Sequence, residues 1–265
     1  MLRRRKKKRK LKTWIRYLIF ALIPLAAFVW QQPARGKALP EEMISHIQQG
    51  IDSGSRYALF RAASEFLTTW PGHDKIYWAH MAMGVYHRDR GDHEDAAADF
   101  ARALSGNGIP VELAARMHSY LSLEYLRLGR DGQALAETVL ACRMTKNIEE
   151  LGYLYYQKGH LENRLKKFRE AIDSLNSGKR LSPDPNLLAA VMLEEAYAQQ
   201  NLHSLQLAEM LYREILDKFP DAQGIAGVAQ ESLERIRMVR EMENRSSREV
   251  SDLKKILEDE RRFFY

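Results

Sequence analysis

Residues 77–110 read YWAHMAMGVYHRDRGDHEDAAADFARALSGNGIP, and the pattern of these residues indicates how the chain folds. Apolar residues recur in it at helical spacing on both sides of Gly91-Asp92, and a proline closes it. Glycine favours the left-handed conformation that ends a helix, and proline cannot continue one. A small residue in each segment, Gly84 and Ala96, lets two helices approach closely. The stretch therefore predicts an antiparallel helix pair.

The same pattern recurs along the chain at intervals of 37, 38, 37 and 37 residues. Self-similarity at a period of roughly 20–50 residues indicates stacked repeats. The turn column reads Gly54, Gly91, Gly129, Lys166 and His203, and the column seven places earlier reads Ile47, Gly84, Ser122, Gly159 and Ala196. The column five places after the turn reads Leu59, Ala96, Ala134, Ala171 and Ala208, and the last turn of each second helix contributes Phe66, Ala103, Ala141, Gly178 and Ile215. Since one pair cannot bury its apolar face alone, the pairs are expected to stack on their neighbours.

These columns resemble those of the tetratricopeptide repeat (TPR), a helix–turn–helix unit of about 34 residues. The resemblance covers residues 40–222, and its best copies are 77–110 and 152–185. The copy at 189–222 ends like the repeats of bacterial cell-envelope proteins. The resemblance implies an all-α fold, a right-handed α-solenoid of about five helix pairs, with a half-repeat at 226–240 that caps the end. Because each interval exceeds 34 residues by three or four, we expect longer turns between repeats.

In proteins of this family the ligand usually lies in the groove lined by the first helix of each pair. The family's groove positions correspond here to Trp78, Met81, Val85, Arg88, Arg116, Leu123, Arg127, Tyr153, Tyr156, His160, Arg164 and Tyr197. Aromatic and apolar anchors beside arginines would suit a partner segment with apolar and acidic side chains. Alternatively, some of these residues pack between repeats or against the C-terminal helix. The family's carboxylate clamp is missing, which argues against a chaperone co-factor.

Composition and charge exclude several other classes of protein. The 265 residues are 45% hydrophobic and 29% charged, as in folded globular chains rather than disordered ones. Ten basic residues lie within residues 1–16, so the net charge of +6 leaves the other 249 residues at −4. A mildly acidic body binds phosphate poorly, and we expect no nucleic-acid partner. The single cysteine excludes an internal disulfide framework.

The N-terminal region predicts a membrane anchor. Residues 1–13 form a basic tail, and residues 14–30 carry a single charge, Arg16. Seventeen residues lie at the short end of the roughly 17–25 that a transmembrane helix needs. The positive-inside rule places the amino terminus in the cytoplasm and the body across the membrane. A cleaved signal peptide is the main alternative, with Gly36-Lys37-Ala38 as its best site, and a buried soluble helix is a second.

No group of residues in the sequence predicts catalysis. The chain lacks glycine-rich nucleotide loops, a nucleophile elbow and a helical zinc-protease motif. Four histidines fall between His73 and His93, and we expect His80 and His87 to pack as core residues rather than to bind metal. Cys142 is expected to be a buried apolar residue rather than a nucleophile. The sequence therefore predicts no enzyme, no cofactor, no metal site and no small-molecule substrate.

Residues 223–265 leave the repeat and become highly charged. Asn244–Ser247 predicts a helix break, after which Ser247 or Ser251 would cap a final helix. The apolar stripe of that helix consists of Val250, Leu253, Ile256 and Leu257, and the chain ends Phe263-Phe264-Tyr265. Docking of this stripe on the last repeat is the expected arrangement, because solenoid ends need a cover, and binding to another chain is the alternative.

Together these features predict a scaffold or adaptor of the bacterial inner membrane, with one membrane pass and a periplasmic solenoid. It would bind a protein partner during assembly or maintenance of a cell-envelope complex. The expected parts are a basic cytoplasmic tail (1–13), a transmembrane signal-anchor (14–30), a linker (31–39), the solenoid (40–222) and a C-terminal capping and charged region (223–265). A cleaved soluble periplasmic adaptor, a regulatory subunit of an enzyme complex, a metal-buffering protein and a eukaryotic organelle-membrane receptor remain as alternatives.

Overall fold

A computed structural model of the chain describes residues 39–182 and 184–263. Within these ranges every regular element is a helix. The helices are α1 (Pro40–Ser53), α2 (Arg56–Thr69), α3 (Tyr77–Arg90), α4 (His93–Leu104), α5 (Val111–Arg127), α6 (Asp131–Met144), α7 (Ile148–Arg164), α8 (Phe168–Leu181), α9 (Pro185–Asn201), α10 (Leu205–Lys218) and α11 (Gln223–Phe263). The predicted anchor (14–30), the basic tail and most of the linker lie outside the described residues, and no described helix has an apolar stretch long enough to cross a membrane.

The chain divides into two compact units, residues 1–46 and residues 47–265. The structure describes residues 39–46 of the first unit, and from Pro40 onward these residues belong to α1. In the second unit the helices pair in chain order: α3 packs on α4, α5 on α6, α7 on α8 and α9 on α10. Each second helix also packs on the first helix of the next pair, and α10 packs on α11. The predicted α-solenoid is confirmed.

The turn inside each pair has one left-handed residue, as the turn column predicts. The angle φ is +67° at Gly54, +83° at Gly91, +70° at Gly129, +59° at Lys166 and +60° at His203. The amide of the following residue reaches back to a carbonyl of the first helix, at 3.0 Å from Asp92 to His87 and at 2.8 Å from Lys167 to Glu162. This bond pattern ends a helix with its last carbonyls satisfied. The turn therefore keeps its geometry at the two positions without glycine.

Small residues seven places before the turn bring the helices of a pair into close contact. A methyl group on Gly84 would lie 2.7 Å from the ring of Phe100, and one on Gly159 would lie 2.5 Å from Leu175. Both Phe100 and Leu175 are fully buried. The large residue of the second helix thus fills the space that the missing side chain leaves, which confirms the steric prediction.

The third pair fills the same position with hydrogen bonds. Ser122 Oγ donates to the carbonyl of Ala134 at 2.8 Å and lies 2.6 Å from Thr138 Oγ1. Gln157 Nε2, from the next first helix, donates to Ser122 Oγ at 3.0 Å. Ser122, Thr138 and Gln157 are all buried, so this polar contact links two neighbouring repeats inside the core.

The extra residues of the repeat lie in the first helices, so the expectation of longer turns is wrong for most of the solenoid. Helices α5, α7 and α9 have 17 residues each, whereas α3 has 14. Only residues 145–147 separate α6 from α7. Asn147 and Asp184 cap α7 and α9 by accepting two backbone N–H bonds each, and the caps begin these helices about one turn earlier. Longer links remain at 70–76 and 105–110.

Helix α11 corrects the prediction for the C-terminal region. Its 41 residues run without a break through Asn244–Ser247, and helical i,i+4 pairs such as Arg237–Glu241 stabilise the helix before this segment. Its beginning covers the last pair, with Ala229 and Ile236 buried against Met192, Tyr212 and Ile215. That capping role is confirmed. Every residue from 241 to 252 is exposed, however, and Val250 is not docked on the last repeat.

Candidate functional site

The first helices α3, α5, α7 and α9 carry all the predicted groove residues, and α7 packs on α9. The residues differ in exposure. The exposed members are Arg116, Arg127, Tyr153, Arg164 and Tyr197; the half-buried ones are Trp78, Arg88, Leu123, Tyr156 and His160; the buried ones are Met81 and Val85. Met81 has no exposed surface and Val85 retains 7%, so these two belong to the core of the second pair. Their side chains have too little surface for a partner, and we correct their assignment to the groove.

Aromatic rings dominate the face of α7 and α9. Tyr153 is 40% exposed and Tyr197 is 47% exposed, so part of each side chain is available to a ligand. The rings of Tyr153 and Tyr156 are 6.1 Å apart, and Tyr156 stacks on His160 at 6.4 Å. Tyr197 meets the edge of Phe168 at 6.3 Å. The two exposed tyrosines are thus held by neighbouring rings and lose little conformational freedom when a ligand binds.

The predicted arginines fall into two groups. Arg88 lies over the ring of Tyr120 on the next first helix, 4.6 Å from its centroid, and Arg164 Nε donates to Asp131 Oδ2 at 3.0 Å. Both side chains therefore hold neighbouring repeats together, as the alternative interpretation proposed. Arg116 and Arg127 are exposed on α5. Burial raises the pKa of the Tyr153 hydroxyl, and the positive charge of Arg127 acts against this rise.

His160 connects two first helices through a carboxylate that sequence reasoning missed. Its Nδ1 is 2.7 Å from Glu194 Oε1, and Asn163 Nδ2 donates to Glu194 Oε2 at 2.8 Å. Burial alone would raise the pKa of Glu194, but the hydrogen bonds from His160 and Asn163 hold it below the ordinary value of 4.5. His160 is therefore engaged between repeats. The missed signal was the polar residue Asn163 at a position of α7 that faces its neighbour.

A cavity of about 730 Å³ opens between α9 and the start of α11, next to Tyr197. Its walls include Leu193, Gln200, Asn201, Val228 and Arg235. Tyr212 OH donates to Gln200 Oε1 at 3.0 Å and keeps one wall in place. Apolar, amide and guanidinium groups in one recess suit a large side chain that carries a polar or acidic end. The sequence did not predict this cavity, because α11 forms one of its walls.

Comparison with known proteins finds the same fold in solved structures. No family model and no curated protein sequence matches the chain. The structure of YrrB, described as a TPR protein with an unusual peptide-binding site, matches with a TM-score of 0.60 and 15% identity over 71% of this chain and 90% of that one. A structure of MamA matches with a TM-score of 0.56 and 13% identity over 68% of this chain and 91% of that one. A TPR protein from Parabacteroides merdae matches with a TM-score of 0.56 and 16% identity over 75% of this chain and 79% of that one. The chain has the TPR fold.

In this TPR solenoid the histidines near α3 contact carboxylates. His87 Nδ1 is 2.9 Å from Asp99 Oδ2, and His80 Nδ1 is 3.8 Å from the other oxygen. Burial alone would raise the pKa of Asp99, but interactions with His80, Arg102 and His87 hold it below the ordinary value of 3.8. His80 and His87 are half-buried and lie beside the carboxylate of Asp99 rather than packing as plain core residues. Among the described residues, no three His, Cys, Asp or Glu are placed to hold a metal ion.

The only cysteine of the chain lies on a second helix of the TPR solenoid. Cys142 is half-buried in α6, and burial raises the pKa of its thiol to about 11. A thiolate is therefore scarce at neutral pH, and the thiolate is the form that attacks electrophiles. This agrees with a structural role for Cys142.

Proposed function

We propose that the chain is a scaffold or adaptor that binds a segment of a partner protein along the face of α5, α7 and α9. The observation that carries the proposal is the pair of exposed tyrosines, Tyr153 and Tyr197, on first helices that pack together. Tyrosine and arginine are the residues that most often supply binding energy at protein interfaces. The exposed Arg127 on α5 adds a positive charge to this surface.

The chemistry of the surface suits a segment with apolar and acidic side chains. Tyr153 and Tyr197 offer flat apolar area with a polar edge, and Arg116 and Arg127 can each hold a carboxylate through two parallel hydrogen bonds. The cavity beside Tyr197 would receive one large side chain of the segment. YrrB, which shares the fold, is described as having a peptide-binding site, and this supports a peptide as the ligand class.

Photo-crosslinking in living cells tests this proposal on the full-length protein. Benzoylphenylalanine placed at Tyr153 or Tyr197 is expected to capture one partner protein, identified by mass spectrometry. The matched control is Tyr57, a tyrosine that is 77% exposed on the second helix α2. A partner captured equally from Tyr57, or none captured from α7 and α9, would contradict the proposed groove.

Removal of the two tyrosines should weaken capture. With the crosslinker at Arg116, the double substitution Tyr153→Ala and Tyr197→Ala is expected to reduce the yield of crosslinked partner at least about tenfold, since each interface anchor contributes about 1–2 kcal/mol or more. Both side chains are partly exposed, so helicity measured by circular dichroism should not change. The control Tyr57→Ala should leave the yield unaltered.

We further propose that residues 14–30 anchor the chain in the bacterial inner membrane with the solenoid in the periplasm. The support is the sequence alone: a basic tail without acids precedes an apolar segment with a single charge. Such a protein would hold its partner close to the membrane surface, in the assembly or maintenance of a cell-envelope complex.

Reporter fusions after residue 265 test this topology. An alkaline phosphatase fusion should be active and a cytoplasmic fluorescent fusion dark, because ten basic residues hold the amino terminus inside. Replacing the basic residues of 1–13 with glutamine should reduce the phosphatase activity several-fold. An active cytoplasmic reporter would refute the topology. Amino-terminal sequencing of the mature protein distinguishes an anchor, which retains the segment, from a cleaved periplasmic adaptor that begins near Ala38.

A further inference from the structure

The second half of α11 has an apolar stripe that no other described part of the chain covers. From residue 241 to residue 252 every side chain of this helix is exposed. Val239, Met242 and Val250 are 45%, 70% and 50% exposed. A long helix with polar residues all round would need no cover, but one with an apolar stripe gains stability from a partner. The stripe is distinct from the tyrosine surface of the first helices.

The stripe has the spacing of a helix that pairs with another helix. Val239 and Val250 stand 11 residues apart, and so do Met242 and Leu253 in the sequence. An 11-residue repeat corresponds to about 3.67 residues per turn, so such a stripe stays on one side of a nearly straight helix. From residue 239 to Leu257 it extends over 18 residues, about 27 Å of helix. This is long enough for several layers of contact with one partner helix.

The charges of α11 reverse sign about residue 248. Residues 237–248 carry a net charge of +2 and residues 249–260 carry −3. When two copies are aligned antiparallel about this centre, residue 243 (Glu) stands opposite 254 (Lys), and 245 (Arg) opposite 252 (Asp). In the same alignment the two ends of the stripe lie side by side, since residue 239 (Val) stands within one residue of the position opposite 257 (Leu). In a parallel alignment halves of like sign would lie side by side.

We propose that the occupant of this stripe is a second copy of the chain, whose α11 packs antiparallel on the first. The partner copy covers Val239, Met242 and Val250, and the opposite-signed halves of the two helices pair. The interface is isologous, because each copy presents the same surface to the other. It would bring two solenoids together and give the assembly two copies of each tyrosine surface.

Light scattering of the full-length protein in detergent tests the dimer. The chain mass is 30.7 kDa, and the protein part is expected to have twice this mass. The substitutions Met242→Lys and Val250→Lys place charges in the stripe and should halve the mass. The matched control Asn244→Lys with Ser251→Lys adds the same charge to exposed positions on the opposite side of the helix and should leave the dimer intact. A monomeric wild type, or a dimer that survives the stripe substitutions, would overturn the proposal.

Cysteine crosslinking tests the direction of pairing and the identity of the occupant. In a Cys142→Ala background in native membranes, Ser246→Cys near the centre should form a crosslinked homodimer with a short bismaleimide. Val239→Cys should not, because the two copies of residue 239 would lie about 27 Å apart along an antiparallel pair. Efficient crosslinking from position 239 would mean a parallel pair, and a product of another mass from position 246 would mean a different partner. Either result refutes the antiparallel second copy.

Discussion

Lys166 occupies a left-handed turn position, with φ of +59°, where three other repeats have glycine. A left-handed backbone costs an ordinary residue about 1–2 kcal/mol relative to glycine, and glycine costs about 0.5–1 kcal/mol in lost chain entropy. We therefore expect Lys166→Gly to leave the free energy of unfolding unchanged or raise it by up to about 1 kcal/mol, as measured by urea denaturation.

The reverse substitution provides the control for this strain argument. Gly129 has φ of +70°, and a methyl group there would meet no atom within 4 Å. Gly129→Ala should therefore cost about 1–2 kcal/mol through backbone strain alone. An alanine variant as stable as the wild type would show that the turn relaxes and carries no strain.

Gly159 permits the closest approach of the two helices in the fourth pair. Gly159→Ala places a methyl group 2.5 Å from buried Leu175, so we expect a loss of about 1–3 kcal/mol from overpacking despite the better helix propensity of alanine. The control is Gly227→Ala in α11, where nothing lies within 4 Å and where propensity alone should stabilise by about 1 kcal/mol. Urea midpoints of the two variants should move in opposite directions.

At the level of single residues, the close helix contacts could be predicted from the sequence, because small residues recur there at a fixed position of the repeat. The contacts of Gly84 and Gly159 follow from their small size and periodic position. The pairing of His160 with Glu194 did not follow, since it joins residues 34 positions apart whose side chains meet only once two repeats are stacked. The burial of Met81 was missed for the same reason.

At the scale of helices, the carboxylate of Glu194 couples α7 to α9 in a pH-dependent way. Its pKa lies below the ordinary value of 4.5, so folding favours the ionised form. This contribution is complete above about pH 4.5 and is lost as the pH falls through the lower pKa of the folded state. We expect the difference in unfolding free energy between the wild type and Glu194→Gln to shrink below pH 4.5, as measured by urea titration.

A control carboxylate separates this effect from general acid unfolding. Glu214 forms an exposed pair with Lys218 one helical turn away, and such pairs contribute little. Glu214→Gln should stay close to the wild type at every pH. A constant difference between the wild type and Glu194→Gln down to pH 3 would show that the loss comes from geometry rather than charge.

Helix boundaries were the least predictable part of the elements. The period of 37 residues is visible in the sequence, but it does not say whether the extra residues extend a helix or a turn. Because Asn147 and Asp184 cap α7 and α9, the extra residues of the repeat belong to these helices rather than to the turns. In α11 the segment Asn244–Ser247 has turn-forming residues, yet the helix continues through it. The low helix propensity of these four residues is a small effect when the residues on both sides are helical.

At the scale of the molecule, each TPR pair depends on its neighbours for cover, and α11 covers the last one. Truncation after residue 222 removes Ala229 and Ile236 from the cluster around Met192 and Tyr212. We expect a loss of at least about 3 kcal/mol, since a buried isoleucine alone contributes about 2–5 kcal/mol. Thermal unfolding followed by circular dichroism measures the effect.

Truncation after Asn244 serves as the comparison. It keeps the capping contacts of α11 and removes the exposed residues 245–252 with the end of the helix, so the melting temperature of the solenoid should change little. Equal losses from the two truncations would mean that the exposed half of α11 also supports the fold of the single chain.

The third, fourth and fifth pairs share the same construction, a 17-residue helix followed by one of 14 residues. Units of equal length that touch only adjacent units can be added or removed in steps without altering the rest. In the proposed groove, the number of such units would set how many side chains of a bound segment contact the solenoid. Gain or loss of one 37-residue unit would therefore change the length of the partner segment that the proposed groove contacts. The side chains that contact the rest of the segment would stay the same.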